Sequence, residues 1–227
     1  MIVAILCGGQ GKRLKPLSEG IPKAMVKVNG IPIIEMNINW LKHNGFKTIY
    51  LCSGYKHEVL EDYFGDGRKF GVEIIHSPDR MPDMGTATVK QLESEINERF
   101  LVVNGDTLTD MDLSKLWSFH KSKKKVATIA LTQFPSSKGI VVVKSNLVTK
   151  FVEKPILPYW MNAGIYAFEP TIFDYLPERG SIEREIFPKL ANKKMLAAYM
   201  QKFFIVSIDS IKDLEEAEKA LAKRKLY

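Results

Sequence analysis

A chain of 227 residues with 45% hydrophobic and 26% charged side chains has ordinary globular composition and enough length for a sizeable core. No apolar run is long enough to span a bilayer, and the opening MIVAILCGG lacks the basic segment and cleavage site of a secretory leader, so a soluble, cytoplasmic protein is expected. The net charge of +7 is spread along the chain rather than gathered into a nucleic-acid-binding patch, and such a surplus suits a small anionic substrate.

From the first residue, apolar runs alternate with amphipathic stretches. Ile2–Leu6 reads as a buried strand, Ile34–His43 as a helix and Thr48–Leu51 as a strand. His57–Phe64 is helical in spacing, Val72–His76 strand-like, Thr86–Ile96 helical and Phe100–Asn104 strand-like again. Such alternation requires crossover helices and a parallel sheet, so the first half is read as a doubly wound α/β sheet with ligands at the carboxyl ends of its strands. The one tight basic cluster, Lys121 with Lys123, Lys124 and Lys125, falls at an expected helix end, where lysines favour the helix dipole. After Val126 the strands come close together: Val126–Leu131, Ile140–Val143, Leu147–Phe151 and Asn162–Phe168. They predict antiparallel additions carrying a small substrate-binding lobe, and helices over Ser181–Leu190 and Ile211–Lys223 close the chain. With no linker and no repeat, residues 1–227 form one expected domain.

Cys7 and Cys52 lie within apolar runs and are expected to be buried free thiols. His43, His57, His76 and His120 have neither metal-like spacing nor a nucleophile to activate, which argues against zinc or covalent chemistry.

The segment after the first strand, CGGQGKRLKPLSEGIPKAM, carries the chemistry. Gly8, Gly9 and Gly11 let a backbone approach a ligand closely with its amides toward phosphate oxygens. Arg13 and Lys23 bring the positive charge a triphosphate needs, and Pro22 fixes the chain beside Lys23. A dinucleotide fingerprint fails because Leu14 stands where the third glycine is required. A P-loop fails because Arg13 follows Gly11-Lys12 and Leu6 occupies the leading position.

The stretch GGQGKRLKPLSEGIPKAM resembles the G-G-x-G-x-R-L-x-P-L…P-K signature of the sugar-1-phosphate nucleotidyltransferases. The resemblance implies a Rossmann-like doubly wound mixed sheet of GT-A type, with residues 1–125 mainly for the nucleotide and 126–227 mainly for the sugar. It implies an enzyme that takes an NTP and a sugar 1-phosphate and releases pyrophosphate, with Mg²⁺ as cofactor. Gly8, Gly9 and Gly11 would cradle the nucleotide and Arg13 and Lys23 would hold the triphosphate. Pro82-Asp83-Met84-Gly85-Thr86-Ala87 resembles the segment that contacts the base, where Thr86 can also cap the following helix. Base choice would rest on loop geometry near Leu6–Gly8 and Arg80–Gly85. Tyr55-Lys56 resembles a further family segment and is read as packing.

Further motifs follow in the family's order. Phe100–Asp106 is a strand running into a Gly-Asp turn, and Asp106 matches the family's first metal ligand. Gly139, Val152-Glu153-Lys154-Pro155 and Met161-Asn162-Ala163-Gly164 match the sugar-side motifs. By resemblance the Gly139 backbone, Glu153 and Asn162 would bind sugar hydroxyls, with Lys154 near the sugar phosphate.

One departure stands out. The usual second metal carboxylate falls on Ser207, and Asp209 is taken as its replacement, as in a variant seen in glucose-1-phosphate cytidylyltransferases. Asp110 and Asp112 are expected to be exposed or capping, and Asp213 to start a helix. The departure leaves open a non-catalytic regulatory subunit that binds sugar nucleotides, and a nucleotidyltransferase for a non-sugar phosphate is a second alternative. The base, the sugar and the oligomeric state stay open at this stage, a homo-oligomer being compatible with the sequence.

Overall fold

The computed structural model describes residues 1–81 and 84–224; Pro82 and Asp83 of the base motif, and residues 225–227, lie outside it. The chain begins with β1 (Ile2–Leu6), the short hairpin β2 (Lys27–Val28) and β3 (Ile31–Pro32), and α1 (Ile33–His43). Then come β4 (Thr48–Ser53), α2 (His57–Phe64), β5 (Glu73–Pro78), β6 (Phe100–Asn104), β7 (Thr107–Thr109) and α3 (Leu113–Lys123). The second half holds β8 (Ala127–Thr132), β9 (Ile140–Lys144), β10 (Leu147–Val152), β11 (Met161–Phe168), α4 (Phe187–Asn192), β12 (Leu196–Met200), β13 (Ile205–Ser207) and α5 (Ile211–Leu221).

Seven strands make the central sheet in the order β12-β8-β11-β6-β1-β4-β5. β1 pairs in parallel with β4 and β6, and β4 with β5, while β11 runs antiparallel to both β6 and β8. Because β12 is parallel to β8, only β11 reverses within this sheet. That corrects one expectation: the strands read at Val126–Leu131 and Asn162–Phe168 do not belong to a separate lobe but correspond to β8 and β11 of the main sheet, antiparallel to each other, with β11 also antiparallel to β6.

Both faces of the sheet are covered, which is why its strands read as unbroken apolar runs. Val3 and Ile5 of β1 and Leu101 and Val103 of β6 pack beneath α1, α2 and α3, with Ile38, Trp40, Leu60 and Leu116. The alternate residues Ala4, Phe100 and Val102 face the other layer, with Tyr166, Phe168, Phe187 and Leu190. A third cluster, Leu14, Val26, Val28, Ile33, Leu108, Ile208 and Leu214, pins the loop after β1 against α5.

Two expected helices take other forms. Thr86–Leu92 is a 3₁₀ helix, and Ser181–Leu190 opens as a π turn over Ile182–Ile186 before α4 begins. Asp112 caps α3 by accepting from the Ser114 amide, and the cysteines are buried free thiols, as expected. Among the described residues no helix is long and apolar enough to cross a membrane.

Candidate active site

At the phosphate end, buried residues aim the charged ones. Leu14 is fully buried in the third cluster, so its neighbour Arg13 is turned outward. Ile208 is equally buried beside Asp209. The loop itself is closed by the Lys23 amide, which donates to the Gly9 carbonyl at 3.0 Å. Gly11 sits at φ +65°, and a Cβ there would come within 3.1 Å of the Lys23 Cβ and 3.2 Å of the Ser18 Cβ, so both backbone sign and space demand glycine. Ser18 Oγ donates to the Gly11 carbonyl at 2.7 Å and locks the turn.

These constraints bring four charges together. Lys23 Nζ lies 2.5 Å from Asp106 Oδ2 and 2.5 Å from Asp209 Oδ1, and an Arg13 guanidinium nitrogen lies 3.0 Å from the same Asp209 oxygen. Burial alone would lower the Lys23 pKa, but Asp106 and Asp209 outweigh it and the group is raised above its ordinary value. Burial pushes Asp209 the other way, yet Lys23 and Arg13 hold it below the usual aspartate range.

The backbone explains why Asp209, rather than position 207, meets Asp106. β7 and β13 pair antiparallel with Thr107 opposite Ser207, and the Ile208 amide donates to the Asp106 carbonyl at 2.9 Å. Ser207 spends its hydroxyl on Thr107 Oγ1 at 3.1 Å. Asp213 accepts from the Asp209 amide and the Ser210 hydroxyl, while Ser210 Oγ accepts from the Asp213 amide, a reciprocal cap that fixes Asp209 at the start of α5. Asp110 lies away from this cluster, pairing with Arg224 and accepting from the Phe204 amide.

Two carboxylate oxygens converging on one cation fit a hard divalent ion, which takes one or two carboxylates and completes its shell with phosphate oxygens and water. Among the described residues there is no group of three or more His, Cys, Asp or Glu side chains able to hold a metal. The donor set therefore suits an ion shared with a substrate rather than one enclosed by protein.

A cleft of about 840 Å³ opens beside Asp106, over the carboxyl ends of β1, β4, β5 and β6. Leu6, Gly8, Gly9, Arg80, Gly85 and Thr86, all expected on the nucleotide side, line it. Gly11 and Arg13 are set off from the wall, Gly11 shaping the loop and Arg13 on Asp209. An Arg80 guanidinium nitrogen donates to the Gln91 carbonyl at 3.4 Å. Gly85, at φ +63°, lies so close to Gly180 that a Cβ would come 2.5 Å from its carbonyl oxygen. Thr86 does not cap its own helix: its hydroxyl donates to Glu183 and accepts from the Ile182 amide, the first of the π turn that Ser181 caps.

Asp79 is a cleft residue that the sequence reading missed. It directly follows β5, accepts from Thr88 Oγ1 at 2.7 Å, and is raised above its ordinary pKa by burial, against the lowering effect of that hydrogen bond. The signal was available, since a carboxylate at a strand's carboxyl end is what drew attention to Asp106. Asn104 and Tyr55 also line the cleft, the latter expected only to pack.

At the other end the expected sugar-side residues stand apart from this wall. Asn162 Nδ2 donates to the Tyr166 hydroxyl at 2.9 Å; that hydroxyl donates to Glu183, which also accepts from Thr86 and Ser181. Burial and Glu183 push the Tyr166 phenol well above its usual range. The side chains of Tyr166 and Glu183 thus link Asn162 to Thr86 in the cleft wall. Gly139 and Glu153 meet at the base of the β9–β10 hairpin, where a Cβ on Gly139 would lie 2.9 Å from Glu153 Oε2. Lys154 is exposed at positive φ, with Nζ 3.8 Å from Glu216 on α5.

The family model described as nucleotidyl transferase matches residues 2–224. The chain belongs to the nucleotidyl transferase family. It is 32% identical to a UTP–glucose-1-phosphate uridylyltransferase of Synechocystis, over all of this chain and 64% of that protein. It is 35% identical to a mannose-1-phosphate guanyltransferase of Yarrowia lipolytica, over 92% of this chain and 61% of that protein. The chain therefore spans less than two thirds of the length of these curated relatives. Among solved structures, a Bacillus anthracis protein assigned as a glucose-1-phosphate thymidylyltransferase superposes with a TM-score of 0.80 at 22% identity, covering 100% of this chain and 97% of that one. HddC from Yersinia pseudotuberculosis complexed with GMP-PN gives 0.75 at 25% identity, covering 97% and 99%. The seven-stranded mixed sheet of this nucleotidyl transferase is thus the Rossmann-like architecture of its neighbours.

Proposed function

We propose that this nucleotidyl transferase joins an NTP to a sugar 1-phosphate, forming an NDP-sugar and releasing pyrophosphate. The observation that carries the reading is the Lys23 ammonium held between Asp106 and Asp209, with Arg13 beside it, at the edge of a glycine-walled cleft. The sugar-1-phosphate nucleotidyltransferases among its relatives support the substrate class.

Magnesium is the cofactor that the Asp106–Asp209 pair would hold, and when bound it would neutralise charge on the phosphate oxygens. Lys23, freed from the pair, and Arg13 grip the triphosphate with cationic hydrogen bonds. The Gly8–Gly11 backbone keeps the loop close to the nucleotide. Lys154 turns to the sugar phosphate; its contact with Glu216 is an exposed pair of little strength and is readily exchanged. Glu153, Asn162 and the Gly139 backbone orient the sugar, so residues 1–125 serve mainly the nucleotide and 126–227 mainly the sugar.

A sugar-phosphate oxygen forms the new bond to the α-phosphorus. The bond from that phosphorus to the bridging oxygen breaks, and pyrophosphate leaves with its electron pair. The nucleophile is already anionic at neutral pH, so positioning and charge neutralisation replace a strong general base. Asp79 places an acceptor in the nucleotide cleft, which favours a base that presents donors, as guanine does with its ring N–H and amino group.

The test is pyrophosphate release with Mg²⁺ across GTP, CTP, UTP, dTTP and ATP against hexose and heptose 1-phosphates. One strongly preferred pair is expected. A folded protein that binds nucleotide yet releases pyrophosphate with no pair would sink the proposal.

A further inference from the structure

Lys23 is gripped by its stem as well as by its charge. A Cβ on Gly11 would come 3.1 Å from the Lys23 Cβ and 3.2 Å from its Cγ, and one on Gly9 3.8 Å from its Cδ, so the aliphatic stem lies along the glycine loop. The side chain is 12% exposed, against 72% for Arg13, and its ammonium donates to Asp106 Oδ2 and Asp209 Oδ1. Those oxygens are the pair available to a divalent ion. A hard dication sits about 2.0–2.1 Å from a carboxylate oxygen, so one touching either would lie no more than roughly 4.6 Å from Nζ, the sum of the two contact distances. Two positive charges that close repel strongly where water is partly excluded. The charge count agrees: two aspartates, Lys23 and Arg13 sum to zero, so a bare dication takes the cluster to +2.

We propose that the Lys23 ammonium is a resident cation that keeps a divalent metal off Asp106 and Asp209 until a polyphosphate anion draws the ammonium away. The stem stays on Gly9 and Gly11 while the head turns, since the loop whose amides would face a phosphate is the loop that carries the stem. A triphosphate there gives Lys23 a new anion and leaves both carboxylates to the metal. A metal alone offers the ammonium nothing, and expelling it would leave an unpaired positive charge on a side chain that is mostly buried. Metal-first binding is therefore closed, and metal and nucleotide enter together. That the anion is a nucleoside triphosphate rests on the proposed function; the exclusion of a lone metal does not.

Mn²⁺ binding without nucleotide or sugar phosphate, followed by water-proton relaxation enhancement, tests this apart from catalysis. Lys23→Met and Lys23→Gln, both neutral, are expected to bind Mn²⁺ about tenfold or more tightly than wild type, since the carboxylates are no longer occupied. Lys23→Arg keeps a cation in place and should stay near wild type. Adding Asp106→Asn to Lys23→Met should abolish the gain, with circular dichroism unchanged in each variant. Wild type should take up Mn²⁺ once GTP, CTP, UTP, dTTP or ATP is added, relative to the same mixture without protein. Equal Mn²⁺ affinity in wild type and both neutral variants overturns the proposal, as does a gain that survives Asp106→Asn. A wild type that binds an NTP without taking up Mn²⁺ overturns it too. If no NTP binds while the neutral variants keep their gain, the functional reading fails and the exclusion of the metal by Lys23 stands.

Discussion

At the phosphate end of the cleft each exposed charge stands beside a buried anchor, Arg13 beside Leu14 and Asp209 beside Ile208, and the charges meet without a ligand. At the end proposed for the sugar, Gly139, Glu153 and Lys154 flank a hairpin whose strands hold no buried residue. The difference teaches that the cluster proposed for the nucleotide is held in place by packing, whereas the segment proposed for the sugar has no packing of its own to hold it. A preformed site loses its power abruptly when one charge is removed, and an open one loses affinity for its own substrate alone.

The sharpest break would come from Asp106→Asn, which is expected to lower pyrophosphate release by about 10³-fold or more while the fold stays intact. Turnover within a few-fold of wild type would show that the preformed cluster is not the reacting centre.

Next in size is a test that separates scaffold from site. His120 is fully buried, with Nδ1 2.7 Å from Thr128 Oγ1, and burial lowers its pKa from 6.5 to about 4, with Arg99 also lowering it and Glu169 opposing. The unfolded chain takes up this proton below about 6.5 and the native chain resists it to about 4. Stability therefore falls as pH drops through that window, by up to roughly 3 kcal/mol. Denaturant melts at pH 7 and pH 4.5 should show the loss, and His120→Gln should flatten it. An unaltered pH slope in the variant would place the loss elsewhere.

Glu153→Gln should raise the KM for the sugar phosphate by about 10- to 100-fold, roughly 1.4–2.8 kcal/mol, and leave that for the NTP nearly unchanged. If both rise together, the two ends are not separable. The smallest effect expected is in Asp79→Ala, a loss of about tenfold in the preference between bases, read as the ratio of kcat/KM values for two NTPs.

Much of the scaffold was legible because its strands are buried on both faces. Ile2–Leu6, His57–Phe64 and Phe100–Asn104 are found with the bounds expected from their apolar pattern alone. The short edge strands Leu196–Met200 and Ile205–Ser207 escaped, since half-exposed segments of three to five residues carry little periodicity. The helix expected from Thr86 became 3₁₀ because Gly85 must lie against Gly180 and Thr86 is committed to Glu183 and Ile182, contacts nearly a hundred residues away in the chain. Asp79 went unnoticed although it follows an expected strand, because no Gly-Asp turn or family motif falls on it; its partner Thr88 lies nine residues further on.

The sequence by itself determined which half of the chain builds a doubly wound sheet, that glycines follow its first strand, and that Arg13, Lys23 and Asp106 are the candidates for handling phosphate. Those features are local: strand burial, turn geometry and the order of side chains along one loop. Asp209 was named from the sequence, but only the tertiary structure gave it the geometry to face Asp106, because their meeting depends on β7 pairing with β13 and on the Ser210–Asp213 cap, across a gap of a hundred residues. It likewise decided that the β9–β10 hairpin has no strand partner among the described residues, for an alternating apolar strand declares that it must be covered without declaring by what.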